Sequence, residues 1–176
     1  MTERDQDQNQ ETKPEIEIDQ FRHERFLQDI RDNQNLPTAV LAGLAATVAG
    51  AGVWALITAI TQYQIGFMAV GIGFLVGYTV RHFGKGIDKQ FGIAGAIIAL
   101  AGCVVGNILA ICIMASQEFN VGVVEILKSL DKDVLLEIFR EDFSMIDIIF
   151  YGLAIHYGYK TSFRKITEEE MAKLAK

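Results

Sequence analysis

The stretch Gly66–Gly106, GFMAVGIGFLVGYTVRHFGKGIDKQFGIAGAIIALAGCVVG, places two apolar segments on either side of a short basic segment. The basic segment, Arg81–Lys89, contains two glycines and three Lys or Arg residues, a composition typical of a turn. The flanking segments are rich in Gly, Ala, Val and Ile and lack charge. Helices and closed barrels are the structures that satisfy their own backbone hydrogen bonds in lipid. The pattern therefore predicts a helical membrane hairpin.

The rest of the chain is segregated in the same way. Of its 176 residues 51% are hydrophobic, and no Asp, Glu, Lys or Arg occurs in Asn33–Val80 or in Gln90–Gln117. A bilayer core about 30 Å thick is crossed by about 20 helical residues, so both runs are long enough to span it. We predict an all-α integral membrane helical bundle with four transmembrane helices, at about 38–60, 65–81, 91–115 and 143–159.

Three further segments complete the predicted organisation. Residues 1–35 form a polar, acidic tail with ten acids and five bases. Residues 116–142 carry apolar residues at helical spacing among acids, which predicts an amphipathic segment outside the membrane. Thr167 and Glu170 have the spacing of a capping box, so 161–176 is predicted to contain a short C-terminal helix.

Lys and Arg residues near the spans predict the orientation. They cluster in the basic turn and directly after the fourth span, at Arg81, Lys85, Lys89, Lys160, Arg164 and Lys165. Cytoplasmic loops carry an excess of Lys and Arg. Both termini and the basic turn are therefore predicted to be cytoplasmic, and the acidic segment 116–142 is predicted to lie outside.

The hairpin also carries a resemblance. The pattern Gly77-x3-Arg81-x2-Gly84-Lys85-Gly86-x-Asp88-x2-Phe91-Gly92, followed by Gly102-Cys103-x2-Gly106-Asn107, resembles small uncharacterised bacterial multi-pass membrane proteins. The resemblance covers the hairpin around residues 66–107, about a quarter of the chain. It implies a place in the bacterial inner membrane and brings no known activity.

Glycines form a stripe on each helix of the hairpin. At 100° per residue they share a narrow arc, with Gly66, Gly73 and Gly77 on the second span and Gly92, Gly95, Gly102 and Gly106 on the third. Membrane helices associate through close backbone approach, because lipid offers no hydrophobic drive between them. We therefore expect Gly73 and Gly102 to line a tight seam, within the hairpin or against a neighbouring helix. Gly71 lies off the arc.

Antiparallel pairing about a turn near Gly86 sets the register of the hairpin. It places three pairs opposite each other: Gly77 and Gly95, Gly73 and Ala99, and Ala69 and Cys103. Small residues on both sides would permit the two backbones to approach closely.

Three polar residues inside the predicted spans are candidates for a polar pathway. Ionisable groups at such positions are functional candidates. Asp147 lies about one turn inside the fourth span, where it is either an interfacial carboxylate or part of a proton or ion pathway. His156 is predicted near the inner interface. Asn107 lies deeper in the third span and can hydrogen-bond across helices.

We predict no catalytic, cofactor-binding or metal site. Cys103 and Cys112 are nine residues apart on one predicted helix, so they lie on opposite faces and cannot bridge. Gly84-Lys85-Gly86 resembles part of a phosphate loop, but Thr79 stands where the first glycine belongs. The predicted spans contain neither an HExxH pair nor a Ser/His couple. Without a basic patch interleaved with aromatics, nucleic acid is not an expected partner.

Two function classes follow from these patterns. The first is a non-catalytic membrane component that packs in the bilayer with itself or with partner proteins, which the Gly- and Ala-rich helices favour. The alternative is a small channel or permease subunit that moves ions or small solutes along Asn107, Asp147 or His156. A pathway requires these polar residues to share one face that opens to water.

Overall fold

The computed structural model describes residues 20–63, 65–131, 133–134, 140, 144–167 and 170. These described residues form six helices and no strand, which confirms the prediction of an all-α bundle. The helices are α1 (Gln20–Asp32), α2 (Leu36–Thr61), α3 (Met68–Gly84), α4 (Lys89–Phe119), α5 (Val123–Ser129) and α6 (Met145–Thr161). Residues 1–19 of the predicted tail, 135–139 and 141–143, and 168–169 and 171–176 of the predicted C-terminal helix lie outside the described residues.

The chain divides into two units. The described residues of the first are 20–29, 166–167 and 170. In it, the Arg25 guanidinium lies 4.3 Å from the centroid of the Phe21 ring. The Thr167 amide donates to the Glu170 carboxylate (3.1 Å), which is one half of the predicted capping box. The second unit, residues 30–165, contains the bundle.

Sequence signals set the helix ends in the bundle. The Asn35 side chain accepts a hydrogen bond from the Thr38 amide (3.0 Å), and Pro37 occupies the first turn of α2, as the N-cap preference predicts. Helices α2, α3 and α4 each end at a residue in the left-handed conformation, namely Gln62, Lys85 and Asn120. The chain thus reverses sharply after α3 and enters α4 four residues after Lys85.

Helices α3 and α4 form the centre of the bundle. They contact each other, and both contact α2 and α6, so the four helices have a rhombic arrangement with α3 and α4 on its short diagonal. The outer helix α5 contacts α4 and contributes no buried residue. The Leu127 side chain of α5 is 39% exposed.

Two of the described helices, α2 with 26 residues and α4 with 31, are long and apolar enough to cross a membrane. Helices α3 and α6 have 17 residues each, about 25 Å of helix against a bilayer core of about 30 Å. They are therefore too short to meet the same criterion. The structure supports a helical bundle with two candidate spans.

The interior of the bundle combines alanines with a few large side chains. Ala39, Ala69 and Ala99 are completely buried, and Ile72 and Phe91 are 3% and 2% exposed. Many other large apolar side chains lie on the outside of the bundle.

Trp54 corrects one expectation about the membrane interface. Its position near the end of α2 predicts an interfacial aromatic, but its side chain is 1% exposed and packs inside the bundle. The neighbouring Gly106 provides the space, since a Cβ there would lie 2.7 Å from the indole Cε3 atom. Tyr63, which follows α2, is 73% exposed.

Candidate functional site

A groove between α3 and α4 receives α6 at its small residues. Gly73 and Gly77 line the α3 side and Gly95 lines the α4 side. A Cβ at Gly73 would lie 2.7 Å from the Cα atom of Ala154, and a Cβ at Gly158 would lie 2.8 Å from the Gly95 carbonyl oxygen. These contacts are between backbones, so neither partner can yield by changing a rotamer. We call the contact of Ala154 and Gly158 with this groove the α6 seam.

The tight seam predicted at Gly73, within the hairpin or against a neighbouring helix, lies against α6. The atoms nearest a Cβ at Gly73 and at Gly77 belong to α6. Ile72 of α3 lies toward α4, since a Cβ at Gly102 would be 2.8 Å from its Cγ2 atom. The third predicted pair is observed, since the Cys103 thiol donates to the Ala69 carbonyl (3.6 Å). The register is thus as predicted there, while the glycine face is rotated toward a neighbouring helix.

Gly102 and Gly106, the two stripe glycines of α4 that are farthest from the basic turn, contact α2 and α3. A Cβ at Gly102 would lie 2.8 Å from Ile72 Cγ2 on α3 and 3.1 Å from Thr47 Cγ2 on α2. Gly106 lies against Trp54 of α2. The α4 stripe therefore contacts three helices, with Gly95 facing α6 and Gly102 facing both α3 and α2.

Glycines at the ends of the stripes contact aromatic side chains. A Cβ at Gly92 would lie 2.7 Å from the Tyr159 ring, and one at Gly66 would lie 2.9 Å from the Phe150 ring. A Cβ at Gly71, which is off the stripe, would meet no atom of the described residues within 4 Å.

Sequence reasoning missed Ala154 and Gly158, the α6 side of the seam. Both are buried, with Ala154 fully inaccessible. Their spacing of four residues is the small-x3-small pattern of membrane helix interfaces, and it was available as a signal in the fourth predicted span.

Asn107 takes part in a polar link across helices. It is 7% exposed, and the Tyr151 hydroxyl of α6 interacts with its side chain. The same hydroxyl donates to the Cys103 carbonyl of α4 (3.3 Å). The pair connects α4 to α6 directly beside the α6 seam, which is the cross-helix role expected of Asn107.

Asp147 is part of a helix cap. Its carboxylate accepts from the Ser144 amide (2.9 Å), while the Ser144 hydroxyl accepts from the Ile146 amide (3.1 Å), which forms a capping box at the start of α6. His156 is exposed and follows nine residues later, which places it half a turn away from Asp147. The structure thus does not bring Asn107, Asp147 and His156 to a shared face.

Cations at and after the C-terminal ends of α3 and α6 line a concave site. This site lies at the opposite end of α6 from Asp147. This basic pocket has a volume of about 530 Å³ and is lined by Tyr78, Arg81, His82, Lys85, Arg164 and Lys165. The Arg164 amide donates to the Gly86 carbonyl (2.8 Å), which holds the segment after α6 against the basic turn. The sequence predicted these cations as orientation signals, and their convergence requires α3 and α6 to be neighbours.

Within the described part of the chain, no group of three or more His, Cys, Asp or Glu side chains is arranged to hold a metal ion. The α6 seam and the basic pocket are two features of the bundle that sequence reasoning did not place. Neither a family model, nor a curated protein, nor a solved structure matches the chain.

Proposed function

We propose that the chain is a multi-pass protein of the bacterial inner membrane, with four spans and both termini in the cytoplasm. Its function is that of a non-catalytic membrane component that packs with a second copy or with a partner membrane protein. The resemblance of the hairpin supports the location, and the positive-inside distribution supports the orientation. The surface of the bundle supports the remaining parts of the proposal.

The outer surface supports four spans. Helices α3 and α6 are short, yet Phe74 on α3 and Ile149 on α6 are 51% and 61% exposed. Val48 on α2 and Ile97 on α4 are exposed to a similar degree, at 73% and 63%. Soluble monomers rarely expose apolar patches larger than a few hundred Å². Lipid around all four helices accounts for this surface, and snorkelling cations extend the reach of the short helices.

The observation that carries the packing function is a second small-residue stripe, on the outside of α2. Ala45, Ala49 and Gly52 are exposed at three- and four-residue spacing, and a Cβ at Gly52 would meet no described atom within 4 Å. Beside them runs an apolar groove of about 600 Å³ between α2 and α3, which includes Leu75 and Phe83. Small residues on a lipid-facing helix permit another helix to approach closely. We call this surface the α2 stripe.

Photo-crosslinking in native membranes tests the proposal. A photoreactive residue at Ala49 should give a protein adduct of discrete mass, because a partner helix lies within reach of the α2 stripe. The matched control is Ile97, which is exposed on α4 about one turn from the exposed side chains of Ile93 and Leu100, and it should give lipid adducts only. An adduct of twice the chain mass would identify a second copy, and another discrete mass a partner protein. Absence of a protein adduct at Ala49 would contradict the packing function.

The channel or permease alternative has less support. Its candidate residues Asn107, Asp147 and His156 are, respectively, buried in a cross-helix link, engaged in a helix cap and exposed on the opposite face of α6. A pathway along one face of α6 could not include both Asp147 and His156, which lie half a turn apart.

A further inference from the structure

The basic pocket combines charge, concavity and contact with an apolar surface. We propose that it binds the phosphate group of an anionic phospholipid from the cytoplasmic leaflet. The inference rests on the membrane placement and the orientation proposed above, and it adds a ligand that those proposals do not contain.

The positive charge in the pocket exceeds the negative partial charge of the two helix C-termini beside it. Arg81 and Lys85 come from the end of α3, and Arg164 and Lys165 from the segment after α6. A helix C-terminus carries about half a negative charge, so two ends neutralise about one cation of the four. Among the described residues no acidic side chain lines the pocket, and Arg81 and Lys85 form no ion pair. Even without Arg164, the three cations Arg81, Lys85 and Lys165 exceed the charge of the two helix ends by about two, which fits an anion of one or two negative charges.

The chemistry of the cations fits phosphate oxygens. A guanidinium offers a planar fork of N–H donors that binds two oxygens at once, whereas an ammonium acts as a point charge. Arg81 supplies such a fork, and Lys85 and Lys165 supply point charges. Basic pockets between membrane helices on the cytoplasmic side have the composition that binds anionic headgroups.

An aromatic row distinguishes a lipid from a free phosphate ion. Phe74, Tyr78 and His82 lie four residues apart, about 6 Å per step, on one face of α3. Tyr78 is 61% exposed, and the Phe74 ring lies 4.9 Å from the Tyr157 ring of α6. The row therefore leads from the pocket, through Tyr78, toward the middle of the bilayer. A headgroup in the pocket would place its acyl chains along these rings, a contact that an inorganic ion cannot make.

Native mass spectrometry of the full chain in neutral detergent tests the proposal, with dioleoylphosphatidylglycerol and dioleoylphosphatidylcholine as probes. We expect tighter binding of the anionic lipid. The affinity of the double variant Arg81→Gln/Lys85→Asn for the anionic lipid should be about twenty-five-fold lower. Each cation near an anionic headgroup contributes about a factor of five in affinity. Gln keeps helix propensity at position 81, and Asn tolerates the left-handed conformation of Lys85 (φ 50°). Lys89 is an exposed cation of the basic turn and does not line the pocket. The control variant Lys89→Gln should therefore change the affinity for the anionic lipid less than twofold.

Three results would overturn the inference. Equal affinity for both lipids, or equal loss with Lys89→Gln and with the double variant, would show that the pocket is not the site. Inorganic phosphate that binds as tightly as the anionic lipid would make it a site for a soluble anion. Failure of the membrane placement is recognised separately, because the protein would then leave the membranes in an alkaline carbonate wash.

Discussion

At the scale of single residues, two nearby glycines allow the effect of helix propensity on stability to be measured separately from the effect of helix packing. Gly71 and Gly73 both lie inside α3, so replacement by Ala should favour the isolated helix equally, by about 1 kcal/mol. A Cβ at position 71 meets open space, whereas one at position 73 meets the Ala154 backbone. We expect Gly71→Ala to raise or preserve the thermal unfolding midpoint in mild detergent, and Gly73→Ala to lower it by several degrees. Equal effects would mean that the seam contributes nothing to stability.

Asp147 gives a second prediction at the residue scale. It distinguishes a role of the carboxylate in capping α6 from a role in transport. Asp147→Asn keeps an oxygen that can accept from the Ser144 amide, so most of the stability should remain. Asp147→Ala removes the acceptor and should cost about 1 kcal/mol in the free energy of unfolding. Ion flux into proteoliposomes provides the other measurement. A flux that Asn abolishes while the fold is intact would restore Asp147 as a pathway residue.

At the scale of secondary-structure elements, the α6 seam predicts how α6 can be detached. Gly158→Leu would force its side chain into Ala99 and the Gly95 backbone, whereas Gly152→Leu on the same helix meets open space. Cys103 is fully buried where Tyr151 of α6 contacts α4, so its thiol reports on docking. We expect maleimide to modify Cys103 in the Gly158→Leu protein and to leave it unmodified with Gly152→Leu. Protection of Cys103 in both variants would contradict the seam.

The position of each helix along the chain could be predicted from the sequence, but which helices pack against each other could not. Uncharged runs, the Asn35 cap and the basic turn identify the helices within a few residues, because these signals are local. Glycine spacing identifies which face of α3 and of α4 is tightly packed, but it contains no information on which helix covers that face. Gly73 meets Ala154 far along the chain, and the choice depends on how Ile72 and Trp54 fill the other side. The basic pocket escaped prediction for the same reason.

At the scale of the whole molecule, the proposed orientation predicts which positions a reagent reaches from outside. Lys85 and Asp131 are both exposed, so burial in the protein does not protect either. In intact cells a membrane-impermeant maleimide should label Asp131→Cys and miss Lys85→Cys, and it should label both after permeabilisation. Reaction of Lys85→Cys in intact cells would invert the topology. Cys103 and Cys112 are buried, so the native thiols should give little background.

The position of α6 between α3 and α4 also has a consequence for biosynthesis. The ribosome makes α6 after the other bundle helices, and the residues from Phe119 to Thr161 take on the order of seconds to translate. In the proposed membrane placement, Gly73, Gly77 and Gly95 face lipid as a vacant cleft until then. Any nascent helix with an Ala-x3-Gly pattern can compete for it during this interval. The chain's own α6 has the advantage of its tether, so fidelity of assembly depends on how quickly translation delivers it.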